Sequence, residues 1–130
     1  VIIGRDRSGA PISFAVPGSK GKMYVVDLIR KSEGIYANCQ VASWGKDAPK
    51  DDPWCPGSRE RNGQATICYH TMAAVNKAFE ESGYTVSWHR TKRDAGTLKR
   101  KKSGKSFVLP IFPYEWAKIP GAYLLVSEKK

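Results

Sequence analysis

No apolar run in this 130-residue chain approaches the ~20 residues that cross a bilayer, so a membrane-spanning helix is excluded. Cysteine is scarce and odd in number: three residues cannot all pair within one chain, which argues against a disulfide-stapled secreted scaffold. A reducing, intracellular compartment, cytoplasm or nucleus, is the corresponding expectation. Acidic residues are also in short supply, 12 against 22 Lys and Arg, leaving a formal charge of +10. No segment repeats another at any period. Apolar material, by contrast, is plentiful. With 41% hydrophobic residues, among them 4 Trp, 6 Tyr and 4 Phe, the chain can build a core, which argues against wholesale disorder. Its length suits a single domain over 1–130.

The early part of the chain alternates as strands do. Ile12 to Val16 alternates apolar with small or polar residues, Met23 to Ile29 is β-branched and aromatic, and Ile35 to Val41 resumes the pattern. The breakers between them, Pro17-Gly18-Ser19-Lys20-Gly21 and Lys31-Ser32-Glu33-Gly34, predict an antiparallel meander. From Ala42 to Ala65 no period is sustained. A loop of that length in so small a domain needs something other than secondary structure to hold it. Ile67 to Ser82 predicts the main helix, with Met72, Val75 and Phe79 at i, i+3 and i+7, Ala74 and Ala78 beside them, and Gly83 as the stop. Glu80 and Glu81 fall at the end where the helix dipole disfavours negative charge. Tyr84 to His89 and Lys105 to Phe112 predict further strands, and Ala122 to Val126 a last apolar run. The fold expected is α+β: a small antiparallel β-sheet with one main helix, continued over 84–130 by a β-rich extension.

Most of the excess charge lies in one place. Arg90, Lys92, Arg93, Lys99, Arg100, Lys101, Lys102 and Lys105 are offset only by Asp94, so residues 90–105 carry +7 of the chain's +10. Between two predicted strands, this segment is expected as a basic hairpin or loop, a compact positive projection suited to phosphates. A solvated loop with no partner is the plain alternative, and an acidic protein surface would satisfy the same charges. Tyr84, Trp88, Phe107, Phe112, Tyr114 and Trp116 flank the segment. Most of these aromatics are expected in the core, although stacking on unpaired bases is conceivable.

The cysteines bracket the stretch that otherwise has nothing to hold it. Cys39 ends a predicted strand, Cys55 lies in the long loop, and Cys68 with His70 opens the helix. Three thiolates and one imidazole around a tetrahedral zinc would close the loop at both ends and tie it to the helix start. The helix dipole also favours a thiolate at that end. The plain alternative is three buried, unconnected cysteines and a surface histidine.

The stretch Val16-Pro17-Gly18-Ser19-Lys20-Gly21-Lys22-Met23-Tyr24-Val25-Val26 leads to Cys39, then to Cys55-Pro56, then to Cys68-Tyr69-His70-Thr71-Met72-Ala73-Ala74-Val75. Over about residues 14–80 this order resembles the SWIM-type zinc finger. That family carries Cys-x-Cys-Pro on a β-hairpin, a variable spacer, and Cys-x-His at the start of an apolar helix. Position 41 is Val, so residues 40–54 stand as an insertion between the first two cysteines, and the role of Cys39 rests on that insertion. The resemblance implies Cys39, Cys55, Cys68 and His70 as the ligands of one structural Zn²⁺, and a DNA-binding or protein-interaction role. A site with four protein ligands has no open position for an activated water.

Nothing else makes a persuasive catalytic set. Cys68 and His70 as nucleophile and base lack a third, orienting group. Gly104-Lys105-Ser106 imitates the end of a phosphate-binding loop, but position 99 is Lys where that motif needs Gly. Asp47, Asp51 and Asp52 lack the Gly and Glu of a calcium loop and are expected as solvated charges. His89, in a predicted strand, is expected at the surface or half-buried. The sequence therefore points to a non-enzymatic zinc-binding module that contacts nucleic acid, DNA first of all, through residues 90–105. The alternative is an assembly subunit whose basic segment docks on an acidic partner.

Overall fold

A computed structural model describes residues 2–18, 22–41, 55, 58–61, 63–101 and 105–128. The predicted meander is present and gains an edge: β1 (Ile2–Arg5), β2 (Pro11–Pro17), β3 (Met23–Lys31) and β4 (Gly34–Val41) pair antiparallel in chain order. Helix α1 (Tyr69–Glu81) follows a short hairpin of β5 (Arg59–Arg61) and β6 (Gln64–Thr66). Then come β7 (Tyr84–His89), helix α2 (Lys92–Lys101), β8 (Ser106–Phe112) and β9 (Ala122–Glu128). The architecture is mixed α+β, but the sheet is larger than expected. Its order is β1-β2-β3-β4-β8-β9-β7, and β4 joins β8 in parallel through Ile35↔Ile111 and Tyr36↔Phe112.

That parallel seam corrects the purely antiparallel expectation, and its cause is burial. β4 is covered on both faces, with every residue from Gly34 to Cys39 buried. Ile35, Ala37 and Cys39 face α1, where Ala74, Val75, Ala78 and Phe79 complete the core. Tyr36 and Asn38 face the other way. Tyr36 stacks on Phe112 at 4.1 Å, and Asn38 Oδ1 accepts a hydrogen bond from the Glu115 backbone N–H at 3.0 Å. A strand buried on both faces belongs in the middle of a sheet, so β4 needs a second neighbour. Gly34 permits the join: a Cβ there would stand 2.3 Å from the Pro110 carbonyl oxygen.

The apolar stripe of α1 is close to the predicted one. Thr71 takes a buried place that the periodicity gave to Met72, which is only partly buried. Burying Val75 and Phe79 contributes about 1.5–3 kcal/mol each. The stop at Gly83 holds: its φ of 86° is left-handed, and its N–H donates to the Glu80 carbonyl. The misplaced carboxylate of Glu81 has a partner in Arg5, at 2.7 Å.

The second helix corrects the expected hairpin or loop. Thr91 Oγ1 accepts from the Asp94 N–H at 3.0 Å, capping α2, and Asp94 sits in the positively polarised first turn. Lys99 and Arg100 fall in the last turn, at the helix's negative end, where cations are favoured. Thr91-Lys92-Arg93-Asp94 is a capping-box pattern, a helix start that charge counting hides. Ala95 is fully buried where α2 lies across β7, β8 and β9. Among the described residues no helix is long and apolar enough to cross a membrane.

Candidate metal centre and basic helix

Three elements converge at the inner end of α1. Cys39 sits near the end of β4, opposite Val26 of β3. Cys55 is fixed to that strand by its own N–H, which donates to the Cys39 carbonyl at 2.9 Å. Cys68 is the N-cap of α1 and His70 lies in its first turn. The three sulfurs and the His70 ring nitrogen lie within 4.8 Å of one another, close enough to hold one metal ion. Cys55 Sγ is 3.5 Å from His70 Nδ1. An edge of about 3.5–3.8 Å is what a tetrahedron with metal–sulfur bonds near 2.3 Å and metal–nitrogen bonds near 2.0 Å requires. Soft thiolates with one imidazole are the donor set of a closed structural site. All three cysteines are buried and free of disulfides, and His70 is half-buried.

The surroundings prepare Cys68 for the thiolate form. Thiols from Cys39 and Cys55 donate to it, and Thr71 offers both its N–H, at 3.4 Å, and its hydroxyl, at 3.2 Å. These donors hold the Cys68 thiol far below its ordinary range despite burial. Cys39 moves the opposite way, because its proton is held by Cys55 and Cys68 and burial opposes charge. One thiolate is therefore comfortable in this cluster and three are not, unless a cation sits among them.

Several supporting residues escaped the sequence reading. Tyr24 stacks on the His70 ring at 3.8 Å with 16° between planes, and its phenol is pushed up by burial and then by the cysteine charges. Gly18 makes room for that stack: a Cβ there would lie 2.3 Å from Tyr24 Cε2 and 3.2 Å from His70 Nε2. Ser58 Oγ accepts from the Cys68 backbone N–H at 3.1 Å. Thr71 alone carried a local signal, since position three after an N-cap is where its side chain meets a donor. Gly18, Tyr24 and Ser58 act through tertiary approach, which spacing does not encode.

The cations predicted to act together are distributed over α2 and its two ends. Arg90 follows β7, Lys92, Arg93, Lys99, Arg100 and Lys101 belong to α2, and Lys105 precedes β8. Arg90, Lys92, Arg93, Lys99, Arg100 and Lys105 are exposed. Lys102 lies outside the described residues, as do Asp47, Asp51 and Asp52 and nearly all of the expected insertion. Lys92 with Lys99, and Arg93 with Arg100, recur two turns apart, about 10.5 Å along the axis. Among the described residues the single ion pair is Arg5–Glu81, so none of these exposed cations has an acidic partner there. Of the flanking aromatics, Phe112 is buried, Tyr84 sits edge-on between Phe79 and Phe107, and Trp116 stays exposed while stacking on Tyr114 at 4.5 Å. His89 is half-buried beside the Ser87 hydroxyl, 2 residues from it in β7 and apart from the metal cluster. No family model, curated protein or solved structure matches the chain.

Proposed function

We propose that this chain is a non-enzymatic module that holds one structural Zn²⁺ on Cys39, Cys55, Cys68 and His70 and binds nucleic acid, DNA first of all, through α2 and its flanks. The observation that carries the binding half is the set of exposed cations on α2 and at its ends, which outnumber the single acidic residue of that helix, Asp94. Zinc is favoured over other ions by the thiolate-rich, four-ligand donor set. Such an ion neutralises the buried sulfurs and fixes the start of α1 to β4. The SWIM-type reading is supported by Cys68 and His70 flanking the start of an apolar helix, and by Tyr24 of β3 lying against the histidine.

Salt dependence tests the binding half. Affinity for a short DNA oligonucleotide is expected to fall steeply with salt, by about 0.7–0.9 log units per log unit of salt for each phosphate contacted. Lys99→Ala with Arg100→Ala should flatten that slope by roughly 1.4–1.8 without changing the thermal midpoint. Binding that ignores both salt and the double substitution would sink the reading in favour of docking on an acidic protein.

A further inference from the structure

Where β7 runs into α2, the surface opens into a cleft of about 840 Å³, within the ~300–1,000 Å³ range of ligand sites. Its apolar floor comes from Ile67, Met72 and Trp88, and its far wall from Ile119, Pro120 and Gly121. The wall is set close to the β6 end. A Cβ on Gly121 would lie 2.8 Å from Ile67 Cδ1 and 3.1 Å from the Thr66 carbonyl carbon, while the Gly121 N–H donates to the Ile111 carbonyl. Trp88 is half-buried and its indole N–H donates to Asn76 Oδ1 at 2.7 Å, which fixes the ring and leaves no indole donor for a ligand. Arg90 and Lys92, both exposed, line the same cleft, and none of the described residues that line it is acidic.

A fixed aromatic ring beside an apolar slot, with two cations at the rim, is a combination that suits a flat ring attached to an anion. We propose that the cleft takes an unpaired nucleobase, packed against Trp88, with the adjoining phosphates at Arg90 and Lys92. The chain would then bind single-stranded nucleic acid in preference to duplex, because paired bases cannot leave the stack to enter the slot without added cost. This deepens the nucleic-acid reading and rests on it.

The test uses the full metal-loaded chain and three measurements: anisotropy titration with a labelled 12-nucleotide single strand, the same titration with its duplex, and photocrosslinking with 5-iodouracil in the single strand. The single strand is expected to bind at least about ten-fold more tightly than the duplex, with crosslinks in peptides containing Trp88 or Tyr123. Trp88→Leu should weaken single-strand binding roughly ten-fold and leave duplex binding unchanged, in line with about 1–3 kcal/mol per stacked base. Because Trp88 also packs against the core, Ala65→Leu supplies a second variant that fills the cleft from the β6 side and should have the same selective effect. Equal affinity for both forms with crosslinks confined to α2 would overturn the cleft proposal and leave the nucleic-acid reading standing. Binding to neither form would overturn both.

Discussion

Cys39, Cys55, Cys68 and His70 come from three stretches of chain and end within 4.8 Å of one another, whereas the described cations of residues 90–105 are close in sequence and end along α2 and at its two ends. The first group needs the fold to exist before it can act. Once assembled, its sulfurs lie close enough together to hold one metal ion. The second group needs only a capped helix laid on β7, β8 and β9, and its charges remain in water. Residues of the first group should therefore govern stability, and those of the second should govern binding. The parallel pairing of β4 with β8 joins the two regions.

Metal removal is expected to have the largest effect. Structural zinc contributes about 10–16 kcal/mol in small zinc-finger peptides, as much as a whole domain's net stability of about 5–15 kcal/mol. Chelation, or Cys68→Ala, is expected to abolish amide-exchange protection first at Met72 and its neighbours in the opening turn of α1, while β8 and β9 keep theirs longer. Simultaneous loss in both regions would show that the seam transmits the change to the whole sheet.

Attacking the seam directly should come next in size. Gly34→Ala places a methyl group 2.3 Å from the Pro110 carbonyl oxygen, where backbone must move. A loss of about 3 kcal/mol is expected in denaturant unfolding, with metal content per folded chain unchanged. Ala95→Leu is milder. It overpacks the contact between α2 and the sheet, costs about 1–3 kcal/mol, and should lower oligonucleotide affinity without altering metal content.

The smallest effect is expected at Arg5–Glu81. The guanidinium's hydrogen bond holds the Glu81 carboxyl below its ordinary value, so its contribution is present at neutral pH and lost as acid protonates Glu81. Both side chains are exposed, and Arg5→Ala should shift the thermal midpoint only slightly at pH 7, and by less as acid protonates Glu81 or in ~1 M salt.

Much of this was legible in the sequence where the signal is local. Strand-like patterns located β2, β3, β4, β7 and β8, a last apolar run marked β9 without naming it a strand, and apolar spacing located α1, because each pattern states which side of an element faces the core. The four candidate ligands could be named from chemistry, since buried thiols around an irregular stretch have few uses. The parallel β4–β8 pairing could not be named, as it joins segments more than seventy residues apart through burial on a second face. Helix α2 was hidden by its own charges: eight cations suggested a mutually repelling loop, yet the capping threonine and the order of charges suit a helix. Gly18 looked like a turn residue and is also the space in which Tyr24 and His70 stack.

Native mass spectrometry of the full chain, purified under reducing conditions and extensively dialysed, tests the metal centre most directly. One zinc ion per chain is expected, with the mass of the bare protein when Cys68 or His70 is replaced by Ala. A folded wild-type chain carrying no metal, even with zinc supplied, would contradict the account and leave the four residues as a packing cluster.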